Sequence, residues 1–433
     1  MEIKTIPFTV ILIMAVLPGC TPISQSSVIS GNTPKAIQLA DRTYDPAIMT
    51  AMLYPSFGAP EDNLLPAIIP IGQWNLLLEF DDLSGQQESY YGRLIHCNYN
   101  WSKSALSDLD FLTEFNEFPI NNYEYSTDTH IPYIHYWLQV PPVKLPGNYV
   151  VAVYRGSNKE DVILTRRFMV HDTRVAITRE GNLIGASAVA EMNQQINFTV
   201  NHKDIDILNP MQDVSVSIRQ NQRWDNMATE IKPSFIRTNQ RELEYRYFDP
   251  EKMFKGGNEF RFFDIRSLNS PGRNIEHIDK TVKPFEAYLF KDKSRTNQAY
   301  AQYNDLNGKF IIHNFDFNTP SSANYVMVNF TLACPQPVNG SVYVTGELNY
   351  WRSDDRNKMH YDSAAEEYRA KILLKQGWYD YQYIVKSGDL PPYHFEGSHF
   401  ETENTYEIFI YHRPFQPRAD LLIGYIRFEE NPR

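Results

Sequence analysis

The chain has 433 residues, a length that suggests two to four domains. Hydrophobic residues make up 42% and charged residues 21%, which excludes a chain that is disordered throughout. The formal net charge is -11 without a basic stripe, which argues against nucleic acid as a partner.

The first twenty residues predict a secretory signal, because the apolar run 6–16 follows Lys4 and is too short to span a membrane. The run ends in Leu17-Pro18-Gly19-Cys20, which resembles a bacterial lipobox. We therefore expect a lipoprotein with residues 1–19 as signal peptide, Cys20 as the lipid attachment site and 20–35 as a polar tether. Ordinary signal cleavage with loss of Cys20 is the alternative.

Beyond the tether, apolar and polar residues alternate in many short segments. Period-two alternation with one apolar face is typical of half-buried strands, and the aromatic content of 14% also favours strands. The clearest segments are HYWLQVP (135–141), NYVVAVYRG (148–156), DVSVSIRQ (213–220) and YRAKILLKQ (368–376). The stretch 363–375 has the composition of a helix, but its alternation favours a turn followed by a strand.

Frequent turn residues between these segments predict an all-β chain of three tandem β-sandwich domains, immunoglobulin-like or early-set-like. Polar breaks place the N-terminal sandwich at 36–173, the middle one at 174–322 and the C-terminal one at 323–414, with a tail at 415–433. Cys97 and Cys334 lie in different predicted domains, so we expect two buried thiols and no disulfide framework.

Candidate chemistry is weak along the whole chain. His130 and His135 have a spacing that places them on opposite faces of a strand, which disfavours a metal site. The run 304–308 resembles part of a calcium loop but lacks the remaining oxygen ligands, so a β-hairpin turn is the better interpretation. Five carboxylates of the kind that a glycosidase uses lie in turn-like contexts: Asp81, Asp82, Asp108, Asp110 and Glu114.

No nucleophile elbow, phosphate loop or zinc motif is present in the sequence, so we expect no enzyme, no cofactor and no metal. The stretch KGGNEFRFFDIRSLNSPG (255–272) mixes charged and aromatic residues, but period two makes it a strand between two turns. In that strand Glu259 and Arg261 share a face and are close enough to pair.

Three segments combine aromatic and polar residues: HCNYNWSKS (96–104), RQNQRWDN (219–226) and VYVTGELNYWRSDD (342–355). Aromatic side chains in loops serve as sugar platforms or as energetic centres of protein interfaces. The alternative is that each ring closes the end of its own sandwich. Under the interface hypothesis the candidate residues are Arg223, Trp224, Trp351 and Arg352.

The predicted C-terminal sandwich, 323–414, resembles the early-set immunoglobulin-like modules of glycogen- and starch-binding proteins. The likeness lies in VYVTGELNYW, then Met359 and Tyr361, then YRAKILLKQGWYDYQYIV. That resemblance implies a seven-stranded sandwich. It leaves open a second function, a glycan-binding outer-membrane lipoprotein in which Trp351 and Trp378 matter if they are exposed.

A second resemblance covers nearly the whole mature chain, which is similar to the type IX secretion system plug proteins of Bacteroidota. The residues that carry it occur in the same order along the chain: LLLEFDDL (76–83), YYGRLIHCNYNWSKSAL (90–106), YSTDTHIPYIHYWLQVP (125–141), GNYVVAVY (147–154), LTRRFMV (164–170), QNQRWDN (220–226), GGNEFRFFDIRS (256–267), LKQGWYDYQYIV (374–385) and FEGSHFETENTY (395–406).

The resemblance implies a non-enzymatic gate on the periplasmic side of the outer membrane. Its expected partner is the large β-barrel translocon of type IX secretion, of the SprA or Sov type, whose periplasmic mouth it would cover when no cargo passes. The lipobox-like start adds an N-terminal lipid anchor in the membrane.

Overall fold

In a computed structural model the described residues are 37–180, 192–247, 253–317 and 319–432. The predicted signal peptide, the tether and Cys20 lie outside them. Strands dominate the described part, and its sheets are mainly antiparallel. The prediction of an all-β fold built from sandwiches is therefore confirmed.

The N-terminal sandwich consists of two sheets. One has the order β1-β10-β9-β5-β6, with β3 parallel to β10, and the other has the order β2-β4-β8-β7. Their facing side chains form one apolar core, which includes Phe80, Tyr136 and Tyr149. Its elements are β1 (Arg42–Thr43), β2 (Ile48–Pro55), β3 (Ile68–Pro70), β4 (Leu76–Asp82), β5 (Tyr90–Cys97), helix α1 (Asp108–Phe111), β6 (Phe118–Ile120), β7 (Asn122–Tyr125), β8 (Ile134–Gln139), β9 (Gly147–Arg155) and β10 (Val162–His171).

The middle sandwich begins with seven strands and one short helix. One sheet has the order β11-β13-β16-β15, and β12 pairs with β17. The elements are β11 (Ala176–Glu180), β12 (Asn193–Gln194), β13 (Asn197–Asn201), helix α2 (Pro210–Asp213), β14 (Val214–Gln220), β15 (Phe235–Arg237), β16 (Glu242–Tyr245) and β17 (Phe254–Lys255).

The C-terminal sandwich consists of two sheets. One has the order β18-β26-β21, with β23 also paired with β26, and the other has the order β19-β20-β22-β25-β24. Its core includes Phe263, Phe330 and Tyr381. Its strands are β18 (Arg261–Asp264), β19 (Ile275–Asp279), β20 (Glu286–Leu289), β21 (Phe310–Ile312), β22 (Tyr325–Ala333), β23 (Ser341–Thr345), β24 (His360–Asp362), β25 (Glu367–Lys375) and β26 (Gly377–Lys386). Short 3-10 turns occupy Pro60–Leu64, Thr238–Gln240, Pro320–Ser322 and Glu347–Asn349.

Two final strands, β27 (Asn404–His412) and β28 (Leu421–Glu430), return to the middle sandwich. They complete its second sheet in the order β14-β27-β28, which packs against the first sheet around Phe198, Tyr245 and Ile408. The C-terminal sandwich is therefore an insertion between β17 and β27 of the middle one.

Strand pairing differs from the predicted domain boundaries in two places. β18 and β21, assigned by the sequence to the middle block, both pair with β26 in the C-terminal sandwich. The predicted tail 415–433 contains β28, which pairs with β27 along its length. Alternation within a strand records which face is buried but not which strand lies beside it, so a linear division could not reveal this insertion.

The four segments with the clearest alternation are all strands, and 367–375 is a strand as predicted. β9, however, is buried on both faces rather than half-buried. Tyr149 and Val151 point into the N-terminal core, whereas Val150 packs with Met169, Phe409 and other residues in a second apolar cluster. That cluster lies between the N-terminal and middle sandwiches.

Smaller predictions have mixed outcomes. Cys97 and Cys334 are free, buried thiols, as expected. Asn307 and Gly308 form a turn with φ angles of 54° and 82°, closed by the hydrogen bond from the Lys309 amide to the Leu306 carbonyl. The hairpin prediction was wrong, because β21 leaves this turn to pair with β26 and no described strand enters it.

Candidate functional site

Three of the four predicted interface residues, Arg223, Trp224 and Trp351, lie at junctions between sandwiches, whereas Arg352 lines a cleft with Arg42 and Arg356. The Arg223 guanidinium, from the middle sandwich, lies 4.2 Å from the centre of the Trp351 ring in the C-terminal sandwich. Two of the aromatic segments, 219–226 and 342–355, each contain two consecutive residues with positive φ, at Asn221–Gln222 and at Tyr350–Trp351. Such left-handed pairs turn the chain sharply and direct both segments towards the same junction.

Trp224 connects the middle sandwich to the N-terminal one. Its indole Nε1 donates a hydrogen bond to Asp41 Oδ2 at 2.7 Å. The guanidinium groups of Arg219 and Arg167 lie 4.1 and 4.9 Å from its ring centre, and the Trp101 ring meets it edge-on at 4.9 Å. The half-buried indole is therefore held by cation–π and aromatic contacts within the protein.

Trp351 is not available as an exposed interface residue. Its side chain is 6% exposed, and its indole donates to Glu347 Oε2 at 3.1 Å. A β-carbon added at Gly308 would lie 2.3 Å from the Trp351 ring, so only glycine allows this close approach. The ring closes the junction between sandwiches, which the sequence could not distinguish from an exposed loop aromatic.

Trp378, the other candidate of the glycan hypothesis, is also engaged. It is half-buried, stacks on Phe262 with ring centres 4.7 Å apart, and lies 5.2 Å from the Arg266 guanidinium. We therefore expect substitutions at Trp351 and Trp378 to change the stability of the protein. This is the result that a structural role predicts, in place of a role in sugar binding.

Charged side chains from all three sandwiches are buried at this junction. Arg219 of β14 and Glu407 of β27 pair at 2.7 Å with side chains 3% and 0% exposed. Burial opposes the charge on Arg219, but the Glu407 carboxylate holds the pKa of Arg219 above its ordinary value. Burial lowers the pKa of Lys309 to about 8 and raises the pKa of Glu347, despite the opposite charges nearby.

Gln222 links the three sandwiches directly. Its side-chain amide donates to the Leu64 carbonyl of the N-terminal sandwich at 2.9 Å. Its carbonyl oxygen accepts from Lys309 Nζ of the C-terminal sandwich at 2.8 Å. The remaining cavity of about 60 Å³ is large enough for ordered water, and its lining mixes residues of all three parts.

A second buried polar group joins the N-terminal and C-terminal sandwiches. Asp81 accepts from Lys375 Nζ at 2.7 Å, from His135 Nδ1 at 2.8 Å and from the Tyr325 hydroxyl at 2.6 Å. Although burial opposes the charge on His135, its bonds to Asp81 and Glu79 raise its pKa to about 9. Burial opposes the negative charge of Asp81 too, but Lys375 and His135 keep its pKa below the usual range.

These contacts give structural roles to most of the candidate catalytic residues. Asp82 accepts from the Tyr90 hydroxyl at 2.8 Å, and Asp110 accepts from the Ser107 amide at 2.7 Å beside α1. His130 lies against Phe285, away from the ion pair of His135. Within the described ranges, no group of three or more His, Cys, Asp or Glu side chains could hold a metal ion.

Several exposed aromatic residues were missed by the sequence analysis. Phe57 and Trp74 are 70% and 60% exposed and flank the paired ends of β2 and β4. Tyr123 and Tyr125 lie on β7, the last strand of its sheet, with their rings 5.8 Å apart. Alternation does not show which strand lies at an edge, so the sequence held no signal for them.

The helices of the described segments are all too short or too polar to cross a bilayer.

Residues 55–172 match the sequence model of the type 9 secretion system plug protein 1st domain. No curated protein matches the chain in sequence. Among solved structures, the crystal structure of a hypothetical protein from Parabacteroides merdae is similar to it, with 29% identity and a TM-score of 0.82. That similarity covers 91% of this chain and 100% of the other, so the interlocked arrangement of sandwiches is not peculiar to this sequence.

Proposed function

Because this chain belongs to the type IX secretion system plug protein family, as its first domain shows, we propose that it is a non-enzymatic gate of that system. It covers the periplasmic mouth of the large outer-membrane β-barrel translocon, of the SprA or Sov type, when no cargo passes. A pore wide enough for a protein cargo would otherwise let solutes leak across the outer membrane.

The observation that best supports gating is the interlocking of the sandwiches. A cover for a wide pore must be folded, rigid and larger than the opening. The insertion of one sandwich into another, and the buried charges at their junction, oppose hinge motion between the parts. A compact body of about 400 residues has a radius of gyration of about 21 Å, a size suited to blocking a protein-conducting pore.

Reversible closure requires a modest contact area. An interface of about 1,600 Å² gives specificity without permanent attachment. Lipid attachment at Cys20 would keep the protein on the periplasmic face of the outer membrane and raise its local concentration at the barrel, so a weak interface would suffice.

A strain in which the gene is deleted tests this function. The measurement is the leakiness of its outer membrane to a large antibiotic that the intact membrane excludes. We expect the deletion strain to become permeable, and the tagged protein to co-purify with the barrel. Unchanged permeability together with absence of the barrel from the purified material would refute the proposal. A Cys20→Ala variant tests the anchor separately, because it should release the protein into the soluble periplasm.

A further inference from the structure

A groove runs between the N-terminal and C-terminal sandwiches, beside β2 and β25. It encloses about 500 Å³ and is lined by half-buried apolar side chains that include Met49, Met327, Leu348 and Ile372. Half-buried apolar side chains along a groove of this size suit the side chains of a bound segment.

At one end the groove opens into a cleft of about 440 Å³ lined by Arg42, Arg352 and Arg356. Thr43 and Arg356 line both spaces, so they are continuous. Asp354 forms ion pairs with Arg352 at 3.2 Å and with Arg356 at 3.1 Å. Asp355 also lines the groove, so two carboxylates lie beside three guanidinium groups, which leaves one positive charge locally unbalanced on a chain whose net charge is -11.

The arginines are held in place but are not all satisfied. The buried Nε of Arg42 has no hydrogen-bond partner in the described part of the chain, and its guanidinium lies 5.3 Å from the Tyr44 ring centre. Burial lowers the pKa of Arg352, and the positive charges of Arg42 and Arg356 add to this effect while Asp354 opposes it. Unbalanced guanidinium groups at the edge of a cleft are suited to bidentate binding of an oxyanion.

The backbone beside the groove is also unusual. Thr50 has a φ of +47°, which is rare for a β-branched residue, and the pairing of β2 with β4 is interrupted between Met49 and Met52. The Thr50 hydroxyl lies 2.7 Å from that of Tyr325 in the facing sandwich, and this contact holds the irregular turn. Strained backbone of this kind is concentrated at ligand-binding sites.

We propose that this groove binds an extended segment of a protein partner, with apolar side chains in the groove and a carboxylate on the three arginines. The inference rests on the proposed function only for the identity of that partner, the translocon. Charge complementarity favours an acidic segment. Polar side chains such as Thr50, Asn349 and Lys371 lie among the apolar ones, which suits a peptide backbone better than an acyl chain.

Fluorescence anisotropy with a defined peptide tests the site on the full chain. The probe is a fluorescein-labelled hexapeptide, Gly-Leu-Val-Ile-Asp-Glu with a free carboxyl terminus. The comparison peptide replaces Asp and Glu by Asn and Gln and carries a terminal amide. We expect the acidic peptide to bind at least about tenfold more tightly, because only it can form charge-assisted bonds with the arginines.

Substitutions assign the binding to this groove. We expect Arg42→Gln, Arg352→Gln and Arg356→Gln each to weaken binding of the acidic peptide by about tenfold, whereas Arg273→Gln, at an exposed arginine elsewhere, leaves it unchanged. Met49→Glu should abolish binding by charging the apolar part. Thermal unfolding shows whether each variant remains folded.

Equal binding of the two peptides, no binding of either, or loss of binding in Arg273→Gln alone would overturn the inference. Phosphatidylglycerol vesicles or inorganic phosphate that compete as effectively as the unlabelled acidic peptide would also overturn the inference. The ligand of the arginines would then be a phosphate group. Failure of the proposed function is distinguishable: the wild-type protein would bind the acidic peptide yet would not co-purify with the barrel.

Discussion

β18 begins only at Arg261, so Glu259 precedes the strand and Arg261 pairs with other carboxylates, whereas the sequence predicts the two residues on one face of a strand and close enough to pair. Arg261 instead binds Glu396 at 3.0 Å and Asp292 at 2.7 Å, both from other parts of the same sandwich. Burial opposes the negative charge on Glu396, but Arg261 and Arg295 lower the pKa of Glu396 to about 2. Local spacing predicted a strand with buried charges but could not identify partners about 30 and 135 residues away.

Lys375 should be among the most costly single charges to remove. The Lys375→Met substitution leaves the buried Asp81 carboxylate without the ammonium group that pairs with it. We therefore expect a loss of about 3 kcal/mol in the free energy of unfolding. Lys371→Met on the same strand is the matched control. Its ion pair with Glu286 is solvent-exposed on the lysine side, so its loss should cost less than about 1 kcal/mol. Urea unfolding measures both, and equal losses would contradict the assignment.

Asp305 gives a prediction about pH. Burial and the neighbouring Asp380 carboxylate raise its pKa to about 8. The folded state therefore keeps a proton that the unfolded chain loses near pH 4, so this group makes the protein less stable as pH rises from about 4 to about 8. In Asp305→Asn that decline is absent.

The measurement for Asp305 is the unfolding free energy of variant and wild type at pH 5 and pH 8.5. The variant must lose a hydrogen bond, since Asp305 accepts from both the Phe260 and Asn307 amides. Its stability relative to wild type should nevertheless rise between the two pH values. A difference that is the same at both would show that Asp305 is not protonated in the folded state.

At the scale of elements, alternation predicted strands well and sheet partners poorly. β8, β14 and β25 were evident from period two, because one face of each meets a core. The two-sided burial of β9, and the sheet formed by β14 with β27 about 190 residues later, depend on contacts that no local pattern records. The same limit explains the site: Trp351 and an exposed loop tryptophan look identical in sequence.

The most distinctive prediction for an element concerns β28. Because it pairs with β27 and its buried residues Leu422 and Ile423 join two apolar clusters, deletion of residues 415–433 should prevent the middle sandwich from folding. Removal of residues 432–433 alone should have little effect. Soluble yield and cooperative thermal unfolding distinguish the outcomes. A truncated protein with the wild-type unfolding midpoint would mean that 415–433 is a dispensable tail.

At the scale of the whole molecule, the three sandwiches act as one body because each contributes side chains to the others' boundaries. Tyr411 of the middle sandwich donates to Asn148 of the N-terminal one at 2.9 Å, and Asn63 of the N-terminal sandwich donates to the Phe310 carbonyl of the C-terminal one at 2.9 Å. Buried polar contacts between parts favour one relative arrangement over others. The proposed role as a cover across a pore requires this property.

Imaging of the purified complex tests the central claim most directly. The translocon should be isolated through a tag on this protein, in cells whose secretion is idle, and examined by electron cryomicroscopy. The account predicts that the three-sandwich body lies across the periplasmic mouth of the barrel and closes it. A barrel whose periplasmic mouth is open, with this protein bound elsewhere or absent, would contradict it.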